Sequence, residues 1–178
     1  MPKSALDFLK PTFQDKLISV YPHDDDAALY LFHLIVKKYG WSWMDRYMAG
    51  KPYFIQGHLP VARAIAEGKM TATLDATITT VGGLKRQGAP IEVAFSAEDE
   101  TPVFTVTGGI FKDAPHPNAA KLFLTWYLAK EQQSRLGTFS ARLDVPPPAD
   151  FKPLTSYKIA NAFREFITDG KLVADLRK

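Results

Sequence analysis

"PHDDDAALYLFHLIVKKYGW", running from Pro22 to Trp41, constrains the fold more than any other stretch. Its apolar residues recur at helical spacing, but on two sides of the helix. Ala27, Leu31, Leu34 and Ile35 fall on one side; Ala28, Phe32 and Val36 fall on another. A helix with one apolar stripe can lie on a surface, whereas one that is apolar nearly all round must be covered from two directions. Asp24, Asp25 or Asp26 can cap it, and acids suit its positive end. Lys37 and Lys38 suit the last turn, and Gly40 ends the helix.

The flanking segments supply the cover. "KLISVY", Lys16 to Tyr21, reads as a short buried strand. "WSWMDRYMAG" reads as a second helix stopping at Gly50, and "KPYFIQG" as extended chain. Pro60 to Glu67 reads as a helix, with Pro60 at its first position and Gly68 as its stop. "MTATLDATI", "IEVAF" and "PVFTVTGGIFK" read as strands, and "TTVGGLKRQGAP" as a helix or turn. A helix follows with Ala120, Phe123, Leu124, Tyr127 and Leu128 on one face. After a proline-rich loop, "SYKIANAFREFITDGKLVADL" reads as a last amphipathic helix, with Ile159, Phe163, Phe166 and Ile167 inward. Strands alternating with helices predict an α/β fold with a mostly parallel sheet.

Composition narrows the function classes. Of 178 residues, 46% are hydrophobic and 12% aromatic, enough to build a core. Net charge is only +3, and the basic residues are dispersed among acids, so no nucleic-acid partner is expected. There is no cysteine, which excludes disulfides, thiolate metal sites and cysteine nucleophiles. No stretch approaches the ~20 apolar residues of a membrane span. There is no G-x-S-x-G elbow, P-loop or dinucleotide fingerprint, so no enzyme activity and no cofactor are expected. No histidine or carboxylate spacing matches a metal site.

Ligands of open α/β sheets bind beyond the C-terminal ends of strands, at helix N-termini. Three loops qualify. Tyr21, His23 and Asp24 follow the first strand, His58 precedes the Pro60 helix, and Asp75 and Thr77 follow "MTATL". Each has a plainer reading. Asp24 can cap a helix, His58 can be an exposed loop residue, and Thr77 can cap the next helix. Asp75, a carboxylate at a strand end, is suited to an amine or hydroxyl or to a cap.

The order of pieces resembles the extracellular solute-binding proteins of ABC transporters, in the class with two α/β lobes joined by crossover strands. The resemblance lies in "KYGWSWMDRY", "GHLPVARAIAEGKMTATLDA", "GAPIEVAF", "GGIFKDAPHPNAAKLFLTWYLAKEQQSRLG" and "ARLDV", and covers Leu17 to Val145. It implies a periplasmic-binding-protein-like lobe of type II over 1–105. It implies a crossover strand and return helices over 106–178 that pack on a first lobe. Most of that first lobe has no counterpart in these residues, so the chain reads as a truncated member. The implied function is capture of a small solute in an interlobe cleft, outside the cytoplasm in the periplasm, and delivery to a membrane permease. The same three loops form this lobe's share of the cleft. Two alternatives stand beside this reading. One is a ferric-iron-type binding protein, although the position of that branch's paired tyrosines holds Ile78 and Thr79 here. The other is a self-associating or segment-exchanging chain without ligand, because the apolar faces at 117–129 and 157–168 need cover.

Overall fold

Two parallel strand pairs carry the α/β order in a computed structural model of residues 1–178. β1 (Ile18–Val20) pairs with β2 (Tyr53–Ile55), in the register Ile18 to Tyr53 and Val20 to Ile55. β3 (Thr101–Pro102) pairs with β4 (Ile159–Ala160). Between β1 and β2 run α1 (Asp26–Tyr39) and α2 (Trp41–Ala49). After β2 come α3 (His58–Ala66) and α4 (Ile78–Arg86). By its contacts the chain forms two units. One is Met1–Phe104 with Tyr157–Lys178, and the other is Thr105–Ser156. No helix is long and apolar enough to cross a membrane.

The first unit is organised around α1, which is covered from more than one side. Phe32 and Ile35 join Ala5, Leu17, Trp43 and Tyr47 in one cluster. Leu29 and Tyr30 join Ala160, Phe166 and Val173 in a second. Ala28 joins Ile18, Val20 and Val61 in a third, beneath α3. Each large apolar side chain buried in this way contributes roughly 1.5–3 kcal/mol. Asp25 caps the helix by accepting from the Ala28 amide at 2.8 Å. Gly40, at φ +79°, stops it in a conformation that favours glycine.

Several expected elements differ. The stretch at 70–78 makes only a bridge, Leu17 to Ala72, because the Thr73 and Asp75 side chains take over its local hydrogen bonding. Ile91–Phe95 and most of 102–112 form no ladder; only Thr101–Pro102 pairs. The last amphipathic stretch is divided rather than continuous. β4 comes first, then α7 (Phe163–Thr168), then α8 (Gly170–Leu176). Asp169 breaks the run and caps α8, accepting from the Leu172 amide at 3.0 Å. These residues pack on α1, so the apolar face of the last stretch is covered within the chain.

The N-terminal residues, which the sequence left unassigned, are docked. Short 3-10 turns at Ala5–Leu9 and Pro11–Phe13 lie against α2. Asp99 holds the first turn, accepting from the Ala5 amide at 2.6 Å and from the Tyr39 hydroxyl at 2.6 Å, and pairing with Lys38. Trp43 Nε1 donates to the Ala5 carbonyl at 3.1 Å.

The second unit holds α5 (Pro117–Tyr127) and α6 (Lys130–Arg135). The Gln133 side chain ties it locally, donating to the Tyr127 carbonyl and accepting from the Ser140 hydroxyl, both at 2.9 Å.

Candidate functional site

Because β1 and β2 are parallel, their C-terminal ends share one edge. The loop after β1 leads into α1 and the loop after β2 into α3, so the N-termini of both helices stand at that edge. Short strands with immediate helix starts leave each loop only a few residues, so its side chains have little freedom to turn elsewhere.

The two loops are joined by side chains. His58 Nε2 lies 3.1 Å from an Asp25 carboxylate oxygen, and Gln56 Nε2 donates to Asp24 at 2.8 Å. Tyr21 stacks on Phe54 at 5.9 Å between ring centroids, and the His23 ring tilts against Tyr21 at 5.3 Å. Tyr21, His23, Asp24 and Gln56 are exposed, while Asp25 and His58 are half-buried. His58 Nδ1 is buried and makes no hydrogen bond within the chain. Nothing caps α3 with a side chain, so its first amides face this edge without a side-chain acceptor.

The third loop is fixed from below. Asp75 is 6% exposed. One of its oxygens accepts from the Ser19 hydroxyl at 2.7 Å and the Val20 amide at 2.8 Å, and the other from the Thr73 hydroxyl. Burial, and then the nearby Asp75 carboxylate, push the Tyr47 phenol well above its usual range. Asp75 thus sits among Ser19, Tyr47 and Thr73, beneath the end of β1. Thr77 stands at the cap position of α4, where its hydroxyl donates to that of Thr80 at 2.8 Å and accepts from no amide of the helix.

Of the residues singled out in sequence, Tyr21, His23, Asp24 and His58 form one cross-linked group. Thr77 caps the start of α4, and the Asp75 oxygens are engaged inside the protein. Phe54 was not foreseen. The sequence offers Asp25 as a helix cap and Gln56 as part of the second loop, without the contacts that join the two loops. Asp25 and Gln56 acquire their roles from contacts 33 and 32 residues away in sequence, and a linear pattern carries no such signal. His33 packs its ring against Phe166 at 5.2 Å, away from this edge. Desolvation and the charge of Lys37 hold it below the usual histidine range. Among the described residues, no group of three or more His, Asp or Glu is placed to hold a metal ion.

No protein-family model matches the chain, and no curated protein matches it. Solved structures do. The periplasmic binding protein AfuA from Actinobacillus pleuropneumoniae, solved with exogenous fructose-6-phosphate bound, superposes with a TM-score of 0.71 at 19% identity. The match takes in 99% of this chain and 58% of that one. A two-component system protein described as mediating signal transduction gives a TM-score of 0.62 at 16% identity, over 94% of this chain and 60% of that one. This chain therefore spans less than two thirds of the length of either structure. Its fold is α/β, with short parallel sheets flanked by helices, and it is the fold of a periplasmic binding protein.

Proposed function

We propose that the chain is the ligand-reading part of a solute-binding component of an ABC importer, acting outside the cytoplasm and handing a small solute to a membrane permease. One observation carries this reading. Two strand-to-helix loops from parallel strands are locked to each other at the strands' C-terminal edge by the His58–Asp25 and Gln56–Asp24 contacts. Open α/β sheets receive ligands at this kind of edge. The fold shared with a sugar-phosphate-bound binding protein supports the same reading.

In this reading Tyr21, His23, Asp24, His58 and Thr77 contact the solute. Asp75 acts one layer below, holding the end of β1 and the third loop in register through Ser19, Val20 and Thr73. The aromatic pair Tyr21 and Phe54 offers a flat apolar surface, and His58 and Asp24 offer hydrogen-bonding groups. Binding proceeds without covalent chemistry. Specificity comes from the closed state, which solute stabilises by its differential affinity for closed over open forms.

The test is a thermal-shift screen of the chain against amines, sugars, sugar phosphates and metal chelates. A binding solute raises Tm as its concentration passes Kd. His58→Ala and Tyr21→Ala are each expected to weaken that solute about tenfold or more, a loss of about 1.4 kcal/mol. Absence of a shift with every class, in this chain and in a version extended to the length of the solved neighbours, overturns the proposal.

A further inference from the structure

Tyr47 is 1% exposed, and its hydroxyl makes no hydrogen bond. It lies on α2, where its ring is fixed by stacking on Trp43 at 5.0 Å and by Phe32 at 5.7 Å. Its hydroxyl reaches the cluster beneath the candidate site. Burial first, and then the Asp75 charge, raise the phenol, while the Ser19 hydroxyl beside it gives its own proton to Asp75. Native structures rarely leave a buried donor unpaired, because it has lost its water and gained no partner. An orphan at this place calls for a partner in another arrangement of the same groups.

Asp75 has room to be that partner. A carboxylate offers about four lone-pair sites. One Asp75 oxygen takes the Ser19 hydroxyl and the Val20 amide, and the other takes only the Thr73 hydroxyl among its neighbours. A donor without an acceptor and an acceptor with an open site thus share one buried cluster and are not bonded to each other. The segment that carries Asp75 also has freedom to shift. Beyond the Leu17–Ala72 bridge, its bonds to β1 run through the Asp75 side chain. Tyr47 and β1, by contrast, are held by stacked rings and by a backbone ladder. A side-chain tie can exchange one donor for another while the ladder stays in place. Tyr47, Ser19 and Asp75 are all buried inside the first unit, so whatever covers its surface leaves this cluster intact.

We propose that Tyr47 is a positioning residue for the candidate site. When a solute engages Thr77 and the third loop shifts, the Tyr47 hydroxyl donates to the open site on Asp75 and holds the loop in its second place. The arrangement described above is the first place, with that bond unmade. The bond makes the second place more populated, and apparent affinity scales with the population of the competent form. This inference rests on the reading that the edge takes up a solute.

The experiment compares the chain with Tyr47→Phe, which removes the hydroxyl and keeps the ring. In urea the free variant should be at least as stable as the unchanged chain, because the atom removed has no partner there. Backbone relaxation dispersion without solute should show exchange at Asp75, Ala76 and Thr77 in the unchanged chain, and Tyr47→Phe should shrink it. A solute found by thermal shift should bind Tyr47→Phe roughly fivefold or more weakly. A purely structural tyrosine would instead lose stability and leave exchange and affinity as they were, which overturns the proposal. A flat dispersion profile over 75–77 in the unchanged chain overturns it too. Exchange that Tyr47→Phe quenches, with no solute bound from any class, keeps the role of Tyr47 in moving the loop and sinks only the solute-binding reading of the edge.

Discussion

Asp75 accepts from the Ser19 hydroxyl, the Val20 amide and the Thr73 hydroxyl while almost wholly buried. Removing it leaves two or three buried donors unpaired, and each costs about 1–3 kcal/mol. Asp75→Ala is therefore expected to lower stability by about 2–4 kcal/mol in urea denaturation. A loss under about 0.5 kcal/mol, in the range of an ordinary surface change, would show that these bonds hold nothing. Asp99 does comparable work at the N-terminus, with a consequence for pH. Burial pushes its carboxyl up, but hydrogen bonds from Lys38, Tyr39 and the Ala5 amide outweigh that and hold it below the usual value of 3.8. Asp7, bonded by the Lys10 side chain and the Lys3 amide, is lowered to about 2. A depressed folded-state carboxyl stabilises fully above its unfolded pKa, and the gain is lost as pH falls through the folded one. The N-terminal turn should therefore loosen between about pH 4 and about pH 2, and not above. The Trp43 indole N–H, bonded to the Ala5 carbonyl, reports this by NMR. Asp99→Asn should shrink its acid-range shift. An indole signal that is flat through that window refutes the coupling.

At the scale of elements, the last helices depend on one ring. Phe166 is 6% exposed and lies 4.9 Å from Tyr30 and 5.2 Å from His33, all on the surface that α7 shares with α1. Phe166→Ala removes that contact and is expected to cost about 3–5 kcal/mol. The loss should be local, so hydrogen exchange should speed up in α7 and α8 while β1 and α3 keep their protection. Uniform loss across the unit would contradict this. The same elements show what a sequence can carry. α1 was legible to its ends because its determinants are local: two-sided apolar spacing, an aspartate cap and a glycine stop. The stretches at 91–95 and 102–112 read as strands, yet beyond Pro102 they form no ladder, because a strand exists only where another backbone pairs with it. The run from Ile159 to Ile167 kept helical spacing, but its first residues pair with β3 and Asp169 starts a new helix. The candidate site divides in the same way. Two of its three loops were legible as strand-to-helix joints, and the third follows only a single bridge. The Gln56–Asp24 and His58–Asp25 contacts and the engagement of Asp75 were not, since each depends on chain brought in from elsewhere.

At the scale of the whole molecule, the three apolar clusters on α1 and a fourth, of Ala62, Val81, Leu84 and Ile91, all lie in one unit. The other unit is an insertion that leaves after Phe104 and returns before Tyr157. The first unit closes on itself across that gap. β3 pairs with β4, Phe104 lies 5.6 Å from Phe163, and Phe95 stacks on Tyr157 at 3.9 Å. A stretch of this length that buries no apolar side chain contributes little stability of its own, and the long loop imposes an entropic cost on β3–β4 pairing. Replacing residues 105–156 with a short flexible linker should therefore leave the first unit folded. From the β3–β4 register, the ends to be joined are roughly 17 Å apart at about 3.3 Å per strand residue. Ten Gly/Ser residues reach roughly 17 Å. The shortened chain should unfold in urea within about 1 kcal/mol of the first unit in the intact protein, because loop-closure entropy changes only slowly with length. Its Trp43 indole should keep the chemical shift that marks the bond to Ala5. In the intact chain at low-micromolar concentration, amide protection over 117–127 should disappear at lower urea than protection over 26–39. If both stretches lose protection together, or the shortened chain fails to fold, the two units are one cooperative structure and the insertion is part of the core.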